Sequence, residues 1–498
     1  MTAIITEKFR QHNAVQFYES FSETAANTYY LFIGKSTPFT TGTTGGSDTS
    51  PPTPADSSGE EFYVWDDMIA GKKITSTFVS YAIPRRNWTN GTIYDQYHHN
   101  INSSNTSTSG ASNIYDSTFY FMTTDFRVYK VLDNNSGTAY SGSAPTSEST
   151  SPFELGGYVL QYIYSLTASE ADKFLSTDFI PVSTDSTVSA AATDGTISSL
   201  EITAGSSYTN GTYYAAVYGD GTSAGTSSGA IVRITVSGNS IASFGLTAGT
   251  DTTIHDGGAG YTYGTVNLAS GYTFSDATLA TASAMGGSGG AVDVVISPKG
   301  GHGSNAVKEL GGHYVMLNAT LAQAEDDDIT TANDFRRVGL VVDPYDYGTT
   351  TIATSSTFRQ TSALKLASTS GTFDGDEKIS QTSTGAIGKV VEWDSNNSIL
   401  YYQQERFGDY GTNGTTGAYV AFSGANKVTG STSNAYGTPD ATADSAVTLS
   451  GGNTITFTDG YANPELAVDS GNIIYIENRR PISRASDQTE DIKLIIEF

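Results

Sequence analysis

The sequence predicts a mainly β protein, a multi-domain β-sandwich or barrel-like architecture with a few short helices and long polar loops. Three observations carry this. Charged residues fill only 15% of the 498 positions, against about 25% in an ordinary soluble chain. Their place is taken by 53 Gly, 31 Tyr and abundant Ser, Thr and Asn, a balance that suits strands and turns better than helical bundles. Short β-branched and aromatic runs recur between Gly-, Ser- and Asn-rich breaks. With 37% hydrophobic residues, a chain of this length has enough apolar surface for several cores.

The elements follow in order. Residues 7–30 offer a first helix, with Phe9, Ala14, Phe17 and Phe21 roughly on one face. Tyr30 to Lys35 reads as a strand, and Thr40 to Gly59 as a Gly/Pro/Ser/Thr loop without core-forming residues. EFYVWDDMIAGKKI leads into the strand TFVSYAIPRRNW, and residues 100–113 form another polar insertion. Ser117 to Asn135 holds two strands, and Tyr158 to Leu166 one more. Ser169 is positioned to cap a short helix, EADKFL, with Asp172 three residues on.

At about residue 186 charge almost disappears and Gly, Ser, Thr and Ala dominate. Here ISSLEITAG (from Ile197) resembles IASFGLTAG (from Ile241), and each copy is followed by a turn and a Gly-led strand, which suggests a duplicated β unit. Beyond residue 300, Gly311 to Leu321 and Asp334 to Pro344 read as strands. Gly385 to Tyr402 reads as a hairpin turning at Asp394. Ile473 to Glu477 and Ile492 to Phe498 close the chain as strands. The expected organisation is a β-rich frame over 1–185, 297–359 and 451–498, carrying inserted β modules at 186–296 and 360–450. The frame's last strand then pairs within the domain that holds the N-terminus.

Charge and composition exclude several function classes. With 51 acidic against 25 basic residues the net charge is −26, unfavourable for a phosphate backbone or an anionic membrane surface. No nucleic acid and no membrane partner is expected. There is no apolar run of spanning length, and the N-terminus has no apolar signal region. The several Asn-x-Ser/Thr strings are then a by-product of composition. Cys is absent, which removes disulfides, thiolate metal sites and thiol catalysis.

No chemical motif survives its context. Gly34-Lys35-Ser36 resembles the end of a phosphate loop, but the leading Gly would fall at Tyr29, inside a strand. Gly301-His302-Gly303-Ser304-Asn305-Ala306 matches a dinucleotide fingerprint in form. Yet Ser297 to Gly300 separates it from the preceding strand, and AVKEL is too short for a crossover helix. The six histidines lack i, i+4 spacing, and His98 and His99 would point to opposite sides of a strand. The acidic strings Glu325 to Asp328 and Asp374 to Glu377 read as solvated turns lacking the spaced ligands of a calcium loop. No catalytic, cofactor or metal residue is therefore assigned.

Several strings together resemble the baseplate wedge subunits of T-even-like contractile-tailed phages, the dimeric gene-eight type in its cyanophage form. They are IITEKFRQHNAVQFYESF, YLFIGKSTPF, WDDMIAGKKI, FRVYKVLDNN, GYVLQYIYSLTASEADKFLSTDFIPV, SPKGGHGSNAVKELGGHYVML, NDFRRVGLVVDP and ENRRPISRASDQTEDIKLIIEF, in that order. The resemblance implies a homodimeric structural protein of the virion tail baseplate, assembled in the host cytoplasm. It would contact other wedge proteins, link them, and transmit the switch when the tail fires. It implies no enzyme and no cofactor.

In such an assembly Arg anchors and Tyr-rich faces supply binding energy. The basic pairs Arg85-Arg86, Arg336-Arg337 and Arg479-Arg480 are the candidate interface, docking on acidic or carbonyl-rich partner surfaces. The other reading of each pair is a local salt bridge. Two rival functions remain. One is a phage or cell-surface glycan-binding protein, adhesin or tail-fibre-like, against which stands the scatter of Trp65, Trp88 and Trp393. The other is an enzyme degrading envelope polysaccharide, for which no motif speaks.

Overall fold

A computed structural model describes residues 5–23, 26–40, 45–221, 229–406, 410–412, 416–442 and 445–498. The described residues form thirty strands and five α-helices, so the fold is mainly β. The chain divides into two compact units. One comprises Met1–Gln16, Ser80–Met316 and Ile495–Phe498, and so holds both ends of the chain. The other comprises Phe17–Val79 and Leu317–Leu494.

In the first unit the aromatic runs build a four-stranded antiparallel sheet, ordered Tyr120–Met122, Arg127–Asp133, Tyr158–Ser165, Phe153–Leu155. Phe121, Tyr129, Tyr158 and Tyr162 from its strands pack with Tyr94 and Tyr140 in one aromatic core. The hydroxyls of Tyr94, Tyr140 and Tyr158 reach backbone carbonyls, as Tyr158 Oη does that of Thr138 at 2.7 Å, which helps these Tyr to be buried. The Gly/Ser/Thr-rich stretch follows. Ile197–Tyr208 pairs antiparallel with Gly286–Ile296, and Gly211–Gly219 pairs with Ile231–Ser237.

The two similar strings of that stretch take different conformations. The first lies within the long strand Ile197–Tyr208, while the second begins in the two-residue strand Ser240–Ile241 and continues through turns and bridges. Both feed one core through Ile197, Leu200, Ile241 and Phe244. The chain ends meet in this unit: Arg10 Nη1 lies 3.2 Å from Glu497 Oε1, and the Phe498 N–H donates to the His313 carbonyl.

The second unit holds a five-stranded antiparallel sheet, ordered Thr357–Arg359, Met68–Ile74, Tyr29–Gly34, Phe335–Val342, Asn472–Ile482. Its central strand Tyr29–Gly34 is apolar and buried throughout, and Tyr30, Phe32, Trp65, Met68, Val341 and Phe358 form the core beside it. Residues 362–439 contribute a second sheet. Six strands follow one another from Ile399–Gln403 through Ala386–Asp394 to Ser362–Ser370, and the last pairs back to the first. The sheet is thus closed into a ring around Leu364, Leu366, Ile379, Val390, Leu400 and Val428. The hairpin lies in this ring, with the Asp394 carboxylate accepting from the N–H groups of Asn396 and Asn397.

Two sequence expectations are corrected. The loop ends at Ser57, not Gly59, and EFYVWDD belongs to the helix Ser58–Asp67, capped by Ser57 Oγ accepting from the Glu60 N–H. Val64, Trp65 and Asp67 are its buried residues. The helix expected to start after Ser169 spans Ala168–Phe174 instead. Thr167 caps it in a full capping box with Glu170, because Glu170 stands three residues after a hydroxyl.

Candidate interaction surfaces

The three arginine pairs have three environments. Arg85 and Arg86 follow the strand Val79–Pro84 and bond mainly to carbonyls: Arg85 Nη1 to Ser176 O at 2.6 Å, Arg86 Nη2 to Tyr115 O at 2.8 Å. Arg86 also lies 4.4 Å over the Tyr120 ring, a cation–π contact. Both are half-buried.

Arg336 and Arg337 sit on the strand Phe335–Val342 with 5% and 4% exposure. Arg336 Nε faces both oxygens of Asp48 at 3.0 and 3.1 Å, and its Nη1 donates to the Ser36 carbonyl. Arg337 donates to Asp67 at 3.1 Å, to Glu60 at 2.8 Å and to Asn478 at 3.0 Å. These guanidinium groups are spent on carboxylates and carbonyls of their own unit.

Arg479 and Arg480 lie on the strand Asn472–Ile482, and both are exposed. The Arg479 side chain is 45% exposed and 3.5 Å from Glu477. Arg480 has no hydrogen bond or ion pair among the described residues.

The glycine strings prove to be structural corners. Lys35 has φ 61°, and its ammonium donates to Thr37 Oγ1 at 2.6 Å. The Ser36 hydroxyl binds the buried Lys389 ammonium. In Gly301–Gly303 both glycines have positive φ, and a Cβ on Gly301 would stand 2.4 Å from the Thr193 nitrogen. The Gly303 N–H donates to Glu309 Oε2 at 2.6 Å, so the amide a phosphate would need is taken by the chain's own carboxylate.

Around that carboxylate stands a buried ionic cluster that sequence reasoning missed. Lys130 Nζ lies 2.6 Å from Glu309 Oε1, His302 Nδ1 3.0 Å from the same oxygen, and Lys130 Nζ 3.3 Å from the Tyr97 ring centre. Burial alone would raise Glu309, but Lys130 and His302 hold it down to about 2. Burial and the Lys130 charge bring His302 down to about 4. The only advance signal was a Lys inside the apolar run FRVYKVL.

The remaining polar candidates are engaged locally. His98 and His99 are not on a strand, and their rings stack 4.8 Å apart instead of diverging. Burial lowers His99 to about 4, and its Nδ1 accepts from the Ile296 N–H. Glu325 pairs with Lys72 at 2.7 Å, and Glu377 accepts from the Ser433 hydroxyl and the N–H groups of Asp374, Thr432 and Ser433. Burial acts to raise Glu377, and these bonds outweigh it. Among the described residues no group of His, Asp and Glu is arranged to hold a metal ion, and no helix is long and apolar enough to cross a membrane. Trp65 is buried, while Trp88 and Trp393 are half-buried, packed edge-on against Tyr140 and Phe373.

The comparisons point to one family. The family model described as bacteriophage T4 Gp8 matches residues 3–150 and 444–498, the two ends of the chain. No curated protein matches the chain.

Proposed function

From the match of its two ends to the Gp8 family model, a family of phage baseplate wedge subunits, we propose that this chain is a non-enzymatic link between wedge components. The family is a component of the virion tail baseplate, and its members associate with other baseplate proteins. On this reading the chain is a homodimer that joins neighbouring wedge subunits and passes on the switch from the loaded to the fired tail. A switch of that kind needs interfaces with two arrangements of similar free energy. Neither nucleic acid nor membrane is a partner.

The observation that carries the docking part is the exposed pair Arg479-Arg480, within the family-matched C-terminal segment. The Arg480 guanidinium, without a local carboxylate, is available to a partner's, and Arg479 shares only the part-exposed Glu477. Of the six candidate residues, Arg479 and Arg480 carry the contact. Arg85 and Arg86 are half-engaged, and Arg336 and Arg337 support the fold.

Sedimentation of the purified chain, alone and with neighbouring wedge subunits, tests the reading. The expected results are a species of about twice 52.4 kDa alone and a joint, faster-sedimenting complex in the mixture. A persistent monomer would remove the dimer, and absence of the joint complex would remove the wedge role.

A further inference from the structure

We infer that the outer edge of the strand Asn472–Ile482 is a strand-addition site, and that its occupant is an acidic extended segment of a neighbouring wedge subunit. This deepens the wedge reading and rests on it. The strand is the last of its five-stranded sheet and pairs on one side only, with Phe335–Val342. Antiparallel pairing leaves alternate N–H and C=O groups pointing away from the partner strand. No other backbone hydrogen bond reaches this strand among the described residues. The Asn478 bond to the Pro52 carbonyl uses the side-chain amide.

The edge is long and open on one side. It runs for 11 residues, whereas the strand at the opposite edge, Thr357–Arg359, has three. Exposed edges are normally short, bulged, or carry inward charges that repel a second strand. Here Pro481 and two bulges in the pairing with Phe335–Val342, one over residues 479–481 and one at Ile474, are such devices, and between them residues 475–478 keep continuous register. Toward the other end Ile474 is 46% exposed, an apolar side chain on a solvent-facing edge. A partner strand would satisfy the outward backbone groups and cover Ile474 together.

Charge selects the partner. Arg479 shares Glu477, and Arg480 has no carboxylate, so this stretch has surplus positive charge in a chain of net charge −26. An incoming segment with Asp or Glu opposite residues 479 and 480 is favoured, and a basic one is repelled.

Hydrogen exchange on the full chain, alone and mixed with purified neighbouring wedge subunits, tests this. Amides of residues 472–482 that face away from Phe335–Val342 should exchange freely in the chain alone. In the complex they should slow by about tenfold or more. The Arg479→Glu/Arg480→Glu chain should unfold at the wild-type denaturant concentration yet join the complex about tenfold more weakly. A complex that forms with exchange over 472–482 unchanged overturns strand addition while leaving the wedge role standing. Protection present in the chain alone and lost on dilution means that a second copy covers the edge, and it overturns the acidic neighbour. A chain that joins no complex removes both this inference and the wedge reading.

Discussion

Arg336-Arg337 and Arg479-Arg480 are the same dipeptide on adjacent strands of one sheet, with opposite fates. The strand Phe335–Val342 has a neighbour on each side, and all eight of its residues are buried. Successive side chains leave a strand on opposite faces, so each arginine there needs its own acid: Asp48 for Arg336, Asp67 and Glu60 for Arg337. The strand Asn472–Ile482 has one neighbour, and none of its eleven residues is fully buried. Its arginines are left to solvent or a partner. Basic pairs therefore acquire a role from the number of strands around them, not from their own chemistry.

That comparison can be broken first where the expected effect is largest. Arg337→Ala leaves Asp67 buried beside Glu60 without the cation that bonds it directly, and should cost about 3–5 kcal/mol of unfolding free energy. Urea denaturation reads this, and a loss below about 1 kcal/mol would mean that the interior arginines are dispensable. Lys130→Met extends the comparison to the first unit. It leaves Glu309 with only His302 and the Gly303 N–H as partners, and a loss of about 2–4 kcal/mol is expected.

A smaller effect comes from pH. His302 has a folded pKa of about 4, against about 6.5 when unfolded, so on acidification the unfolded chain takes up this proton first. Stability should then fall by up to about 3 kcal/mol between pH of about 6.5 and 4. The contribution of Glu309, whose folded value is about 2, is present above its unfolded value of about 4.3 and is lost as pH falls further. Melts of wild type and His302→Gln across this range separate the two, because the variant should lose the His302 share of the upper slope and keep that of His99. Smallest of all, Arg479→Ala/Arg480→Ala should change unfolding free energy by no more than about 0.5 kcal/mol, since both side chains are exposed.

Much of the fold was legible because strand-forming runs announce themselves locally. Tyr158–Ser165 and the Asp394 hairpin appear within a residue or two of where β-branched and aromatic patterning put them. The helix Ser58–Asp67 was not seen, since Ser57-Ser58-Gly59 reads as loop and its signal was only a hydroxyl three residues before Glu60. The candidate surface was legible as a set of arginine pairs but not as a choice among them. The acids that occupy Arg336 and Arg337 stand 288 and 270 positions away, and Glu309 is 179 positions from Lys130. Such pairings arise only when distant segments meet, so no window along the chain can separate a buried arginine from a free one. The strand edge was hidden for the same reason, because sheet order is a property of the folded chain.

The most direct measurement is the sedimentation of wedge complexes formed with the Arg479→Ala/Arg480→Ala chain beside wild type. A variant with the wild-type denaturation midpoint that joins the complex at least about tenfold more weakly is the predicted result. A variant that joins it as well as wild type would contradict the assignment of this strand as the docking edge.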